Sequence, residues 1–168
     1  MGQLLNTNVE AYKAIALEAH RKMQEYISSG RKPKSDGSSG WIVSFDPERN
    51  SLKQALVTVV FSAIWLTAFL HLRIARNLGV RAAKKFDNDF SYKNGLELLG
   101  CSDETVLNAV ERLRVTRKDL VHEKAHLDNM VIQLAENEAD NAFWIIKAIE
   151  KHFTDATTPT PAVGPEKV

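Results

Sequence analysis

One stretch limits the possible folds more than any other. From Ala55 to Leu72 the chain is apolar almost without interruption, broken only by Thr58, Ser62, Thr67 and His71. Asp46-Pro47-Glu48 precedes it with a helix-start signal: a capping acid, a proline in the first turn and a second acid. Gly79 follows it with a stop. A helix that is apolar on all sides is either the buried centre of a bundle or a membrane span. The segment Ala55 to Leu70 would reach about 24 Å at 1.5 Å per residue, short of a ~30 Å hydrocarbon core. The expectation is therefore a central bundle helix from Asp46 to Leu78, with no membrane partner.

The rest of the chain suits helices packed around that one. Val9, Tyr12, Ala16, Ala19, Met23 and Tyr26 recur at alternating steps of three and four, the seam of a first helix ending near Ile27. That seam fits an intramolecular contact and also offers a surface for a dimer. Residues 29–45 read as a flexible Gly, Ser and Lys-rich loop followed by Trp41-Ile42-Val43-Ser44-Phe45, an apolar strap lying over the helices. Arg73, Arg76, Arg81, Lys84 and Lys85 form a basic run, and residues 92–99 a short helix closed by Gly100. Ser102 is the expected cap of the next helix, which carries Val106, Val110, Leu113, Leu120 and Val121 on one stripe. A last helix from about Leu127 to Phe153 precedes a Thr and Pro-rich tail. The domain plan is an N-terminal helix at 1–28, loop and strap at 29–45, a helical bundle at 46–153 and a disordered tail at 154–168. The fold class is all-α, an up-and-down bundle of about five helices.

With 44% hydrophobic residues among 168, the chain can bury a core of ordinary size. A formal charge of +1 means that any nucleic-acid contact must come from local patches. The lone Cys101 excludes an internal disulfide. With no signal-like N-terminus, it leads to the expectation of a reducing, cytoplasmic setting.

The chemistry concentrates in residues 115–126, VTRKDLVHEKAH. At 100° per residue Arg117 falls inside the apolar stripe, about 20° from Val106 and about 40° from Leu113. A charge aimed at the apolar side costs several kcal/mol, on the order of a buried unpaired ion, unless it is paired or that side opens on a cleft. Glu138, on the inward face of the last helix, is the candidate structural partner.

Three readings follow. In the first, Arg117-Lys118-Asp119-Leu120-Val121-His122 is an Arg-x4-His motif late in a helical bundle. Here the chain resembles the HEPN superfamily, all-helical domains that often cleave RNA without metal. The resemblance covers about Asp46 to Phe153. It implies a homodimer binding RNA across a shared cleft and needing no cofactor, a metal-independent endoribonuclease of a bacterial toxin or defence type. It also implies a cognate antitoxin or nucleotidyltransferase protein as a further partner. Arg117 would stabilise the pentavalent phosphate through its planar fork, and His122 would move the proton of the 2′-hydroxyl. Arg114, Lys118 and Lys124 would hold the RNA backbone.

In the second reading, His122-Glu123-Lys124-Ala125-His126 is a His-Glu-x-x-His zinc motif with both histidines on one helical face. Lys124 beside a dication and the short spacing to Glu138 argue against it, so no metal ligand is assigned. The third reading is a non-catalytic helical interaction module, in which Arg117 pairs with Glu138 and the remaining charges are solvated.

Overall fold

The computed structural model describes residues 8–43, 46, 48–88, 90–121 and 135–155. Among these it is an all-α bundle with one small β-hairpin. The elements are α1 (Val9–Ser29), β1 (Arg31–Pro33), β2 (Trp41–Val43), α2 (Asn50–Leu78), α3 (Val80–Asn88), α4 (Tyr92–Leu98), α5 (Glu104–Val121) and α6 (Ala135–Asp155).

The apolar helix α2 is the centre. It touches α1, α3, α4, α5 and α6. Ala55, Val59, Ala63, Trp65, Leu66, Leu70 and Ile74 are buried along it. By length and hydropathy α2 would also suffice to cross a membrane. Its start is later than the proline signal suggests. The chain turns at Arg49, which sits in the left-handed region at φ 53°, and the helix begins at Asn50. Arg49 is therefore the cap residue, and Asp46, three residues earlier, still reaches the first turn, where its carboxylate accepts the Ser51 N–H at 3.0 Å.

The α1 seam is spent inside the molecule. Val9, Ala16, Ala19 and Met23 are buried, and α1 packs on α2 and α6. That contact removes the seam as a dimer surface, leaving Tyr26 as its exposed end. The rings of Phe69 and Phe153 join α2 to α6, and Trp65 packs on Phe69 within α2 itself. The Arg73 guanidinium lies 5.3 Å from the Phe69 ring centre and 5.2 Å from that of Phe153. One member of the expected basic run is thus a packing cation.

The strap and the cap of α5 need correction, and the basic run gains a helix of its own. The segment read as loop and strap is a hairpin: β1 and β2 pair antiparallel, with Pro33 opposite Trp41 and Lys32 opposite Ile42. Trp41 is 62% exposed and Ile42 52%, so the strap does not lie over the helices. The basic run after Gly79 forms a helix of its own, α3, which turns Ala83 and Phe86 inward and leaves Arg81, Lys84 and Lys85 in solvent. The cap of α5 is Asp103 rather than Ser102. Its Oδ1 accepts from the Thr105 N–H at 2.9 Å and the Val106 N–H at 3.4 Å.

Gly95 sets how closely α4 approaches the core. A Cβ there would lie 2.8 Å from Phe86 Cε2 and 3.1 Å from Leu70 Cδ1. The close contact holds Tyr92, one turn earlier, over α2, where its hydroxyl donates to the Ala63 carbonyl at 3.2 Å.

Candidate functional site

Helix α5 carries the residues that the sequence singles out. Val106, Leu107, Val110, Leu113 and Thr116 are buried, which places the centre of its inward face close to the direction of Arg117. Arg117 is nevertheless exposed. The reason is a cleft of about 230 Å³ lined by Ala63, Ile64 and Thr67 of α2, Phe90, Tyr92 of α4, and Arg117 itself. The bundle opens there, so the guanidinium keeps its water while standing on the apolar side. Of the two ways to relieve a charge in that position, the fold uses the opening.

The pairing of Arg117 with Glu138 is not made. Glu138 is 3% exposed and accepts from Arg112, with Nε at 3.0 Å from Oε2. A second bond runs from Arg112 Nη2 to Oε1. The buried Thr116 hydroxyl donates to Oε2 at 3.1 Å. The Glu138 carboxylate and its hydrogen bonds hold the Arg112 guanidinium above its ordinary value. Arg112 and Thr116 are four apart and so share a side of α5, about 100–140° from Arg117. That side meets α6, whereas Arg117 points between α2 and α4. Among the described residues no carboxylate pairs with Arg117.

The cleft has a polar rim on an aromatic floor. Phe90 packs edge-on against Tyr92 at 4.9 Å between ring centres and against Phe86 at 5.3 Å. Burial pushes the Tyr92 phenol above its usual value, while a hydrogen bond with Thr67 and the charges of Arg117 and Arg114 pull the other way. Thr67 in turn donates to the Ala63 carbonyl at 2.9 Å. Of the expected backbone-holding residues, Arg114 is exposed, with its Nε on Glu111 at 3.0 Å, and Lys118 is exposed. Arg114, Arg117 and Lys118 stand at i, i+3 and i+4, so their heads occupy one contiguous patch of α5. His122 and Lys124 lie outside the described residues, as does the whole of His122–His126 on which the zinc reading depends. Among the described residues, no three histidine, cysteine, aspartate or glutamate side chains group as metal ligands.

A larger groove, about 470 Å³, runs between α1 and α6 and is lined by Leu17, His20, Arg21, Gln24, Glu25, Ser28 and Phe143. Sequence reasoning missed it, because its parts lie at opposite ends of the chain. His20 Nε2 sits 2.8 Å from Asp140 Oδ1, and the Gln24 amide donates to the same oxygen at 2.8 Å. The imidazole stacks on Phe143 with 4.2 Å between ring centres. Arg21 is held by Glu18 and Glu25. These polar groups satisfy one another, which suits a latch between two helices. The smaller cleft, with a guanidinium that no carboxylate among the described residues neutralises, is the better candidate for a ligand.

No family model matches the chain, and no curated protein or solved structure matches it either.

Proposed function

We propose that the protein binds RNA at the α5 end of the bundle and cleaves it without metal. Arg117 would hold the phosphate and His122 would move the proton, in the manner of the HEPN-like domains that the sequence resembles. The observation that carries this reading is the solvated Arg117 at the centre of an otherwise buried helical face. An always-charged fork of donors over an open cleft suits a phosphate oxygen. Lys118 beside it adds positive charge, Arg114 shares its charge with Glu111, and the exposed Phe90 ring gives an apolar wall against which a base can rest. Cleavage by the substrate's own 2′-hydroxyl needs a proton acceptor with a pKa near neutrality, which an imidazole at position 122 supplies.

The cytoplasmic setting, the homodimer and a cognate antitoxin or nucleotidyltransferase protein belong to the same proposal. The test is incubation of a mixed RNA pool with the protein in excess EDTA, wild type beside His122→Ala. Cleavage by wild type alone, leaving 2′,3′-cyclic phosphate ends, is the expected result. No cleavage by either protein, with RNA still bound, leaves a non-catalytic binding module. Activity that appears only on adding zinc ends the metal-free mechanism.

A further inference from the structure

The β1–β2 hairpin is an arm that carries a row of exposed side chains. Arg31, Lys32, Lys34, Trp41 and Ile42 are all exposed. Among the described residues, none of these three cations forms an ion pair, although acidic side chains neutralise Lys13, Arg21, Arg112 and Arg114 elsewhere. The arm's only acid, Asp36, accepts from the Ser38 N–H at 3.0 Å and from its hydroxyl at 2.7 Å, inside the turn.

Such an arrangement costs something. A two-stranded hairpin is marginal by itself, and an indole left in water forgoes the burial that would stabilise it. Strand alternation puts Arg31, Pro33 and Trp41 on one face of the ribbon, and Lys32 and Ile42 on the other, with Lys34 just beyond the strand. Each face therefore pairs an apolar side chain with at least one cation that no acid among the described residues neutralises.

We infer that this arm is a second RNA contact, which takes single-stranded RNA by stacking a base on Trp41 and holding the flanking phosphates with Arg31, Lys32 and Lys34. The inference rests on the reading of the protein as an RNA binder, but not on cleavage at Arg117. Single-stranded RNA is favoured because it combines the two chemistries the arm exposes. It offers π-faces free of a duplex stack and one negative charge per nucleotide. Stacking is indifferent to base identity, so the arm adds affinity without sequence choice.

The test is anisotropy of a fluorescein-labelled 12-nucleotide oligouridylate over a salt series. Variants are Trp41→Ala and the triple Arg31→Gln, Lys32→Gln, Lys34→Gln. Trp41→Ala should weaken binding about tenfold and leave the salt slope unchanged. The triple variant should lower the slope of log K against log salt by about 2, at roughly 0.7 per phosphate contact on a single strand. Circular dichroism should show both variants folded like wild type, since neither site packs in the core. If wild type binds and both variants bind alike with the same slope, the arm inference fails and the RNA reading stands. If wild type does not bind the oligonucleotide, the RNA reading fails and the arm inference fails with it. If the variants instead lose binding only to phosphatidylserine vesicles, the arm is a membrane contact and the inference is overturned.

Discussion

Replacing Glu138 with glutamine should loosen the joint between α5 and α6, at a cost that follows from its surroundings. The carboxylate is buried, accepts from two nitrogens of Arg112 and from the Thr116 hydroxyl, and has no solvent to turn to. Glutamine keeps the volume but presents an amide donor to a guanidinium that only donates. Hydrogen bonds to charged groups contribute about 1.5–3 kcal/mol each in favourable settings, and breaking a fully buried pair costs about 3–5 kcal/mol. The Arg112 side chain is 57% exposed and regains water when its partner is lost, which lowers the sum. An estimate of about 2 kcal/mol results, equivalent to a fall in Tm of roughly 4–8 °C for a chain of this length. Arg112→Gln should cost at least as much, because it leaves the buried carboxylate without its cation, and the double variant little more than Glu138→Gln alone, because the two side chains share one interaction. Arg117→Gln should change stability by less than about 0.5 kcal/mol. Urea unfolding followed by circular dichroism gives all four values. The reasoning is refuted if Arg117→Gln proves as costly as Glu138→Gln while Arg112→Gln is neutral.

Gly95→Ala gains helix propensity but drives a methyl into Phe86 and Leu70, and should cost about 1–3 kcal/mol, read as a lower urea midpoint. Asp103→Ala removes the α5 cap and should cost about 1 kcal/mol, whereas Ser102→Ala should be nearly silent in the same unfolding assay. Because burial raises the Tyr92 phenol, its contribution is fully present below the ordinary value of 10.0 and is lost as pH rises from there through the folded-state value. Spectrophotometric titration should therefore show one tyrosine ionising late, and Tyr92→Phe should lack that late step.

What the sequence makes legible differs from element to element. The centre of the bundle is plain because an all-round apolar run with a start and a stop has few other uses, and α2 occupies that place. Arg117 is visible as an anomaly because helical periodicity fixes its direction within α5. Its surroundings are not visible, since periodicity gives the angle of a residue about its own helix and not the neighbour that each edge meets. Thr116 and Arg112 turn towards α6 and take Glu138, while Arg117 turns into the gap between α2 and α4. The choice depends on how α5 is rotated in the bundle, which no spacing encodes. The hairpin is harder to read for another reason. Arg31-Lys32-Pro33 has none of the β-branched or aromatic residues that mark a strand, and pairs only because Trp41-Ile42-Val43 needs a partner. The Ser-Asp-Gly turn between them was the available signal.

The most direct test of the site is a paired measurement on Arg117→Gln: its thermal midpoint and its RNA cleavage in EDTA, each beside wild type. An unchanged midpoint with cleavage lost is predicted by a guanidinium that stands in an open cleft for a phosphate. A midpoint lowered as far as that of Glu138→Gln, with RNA processed as before, would make Arg117 part of the scaffold and contradict the account.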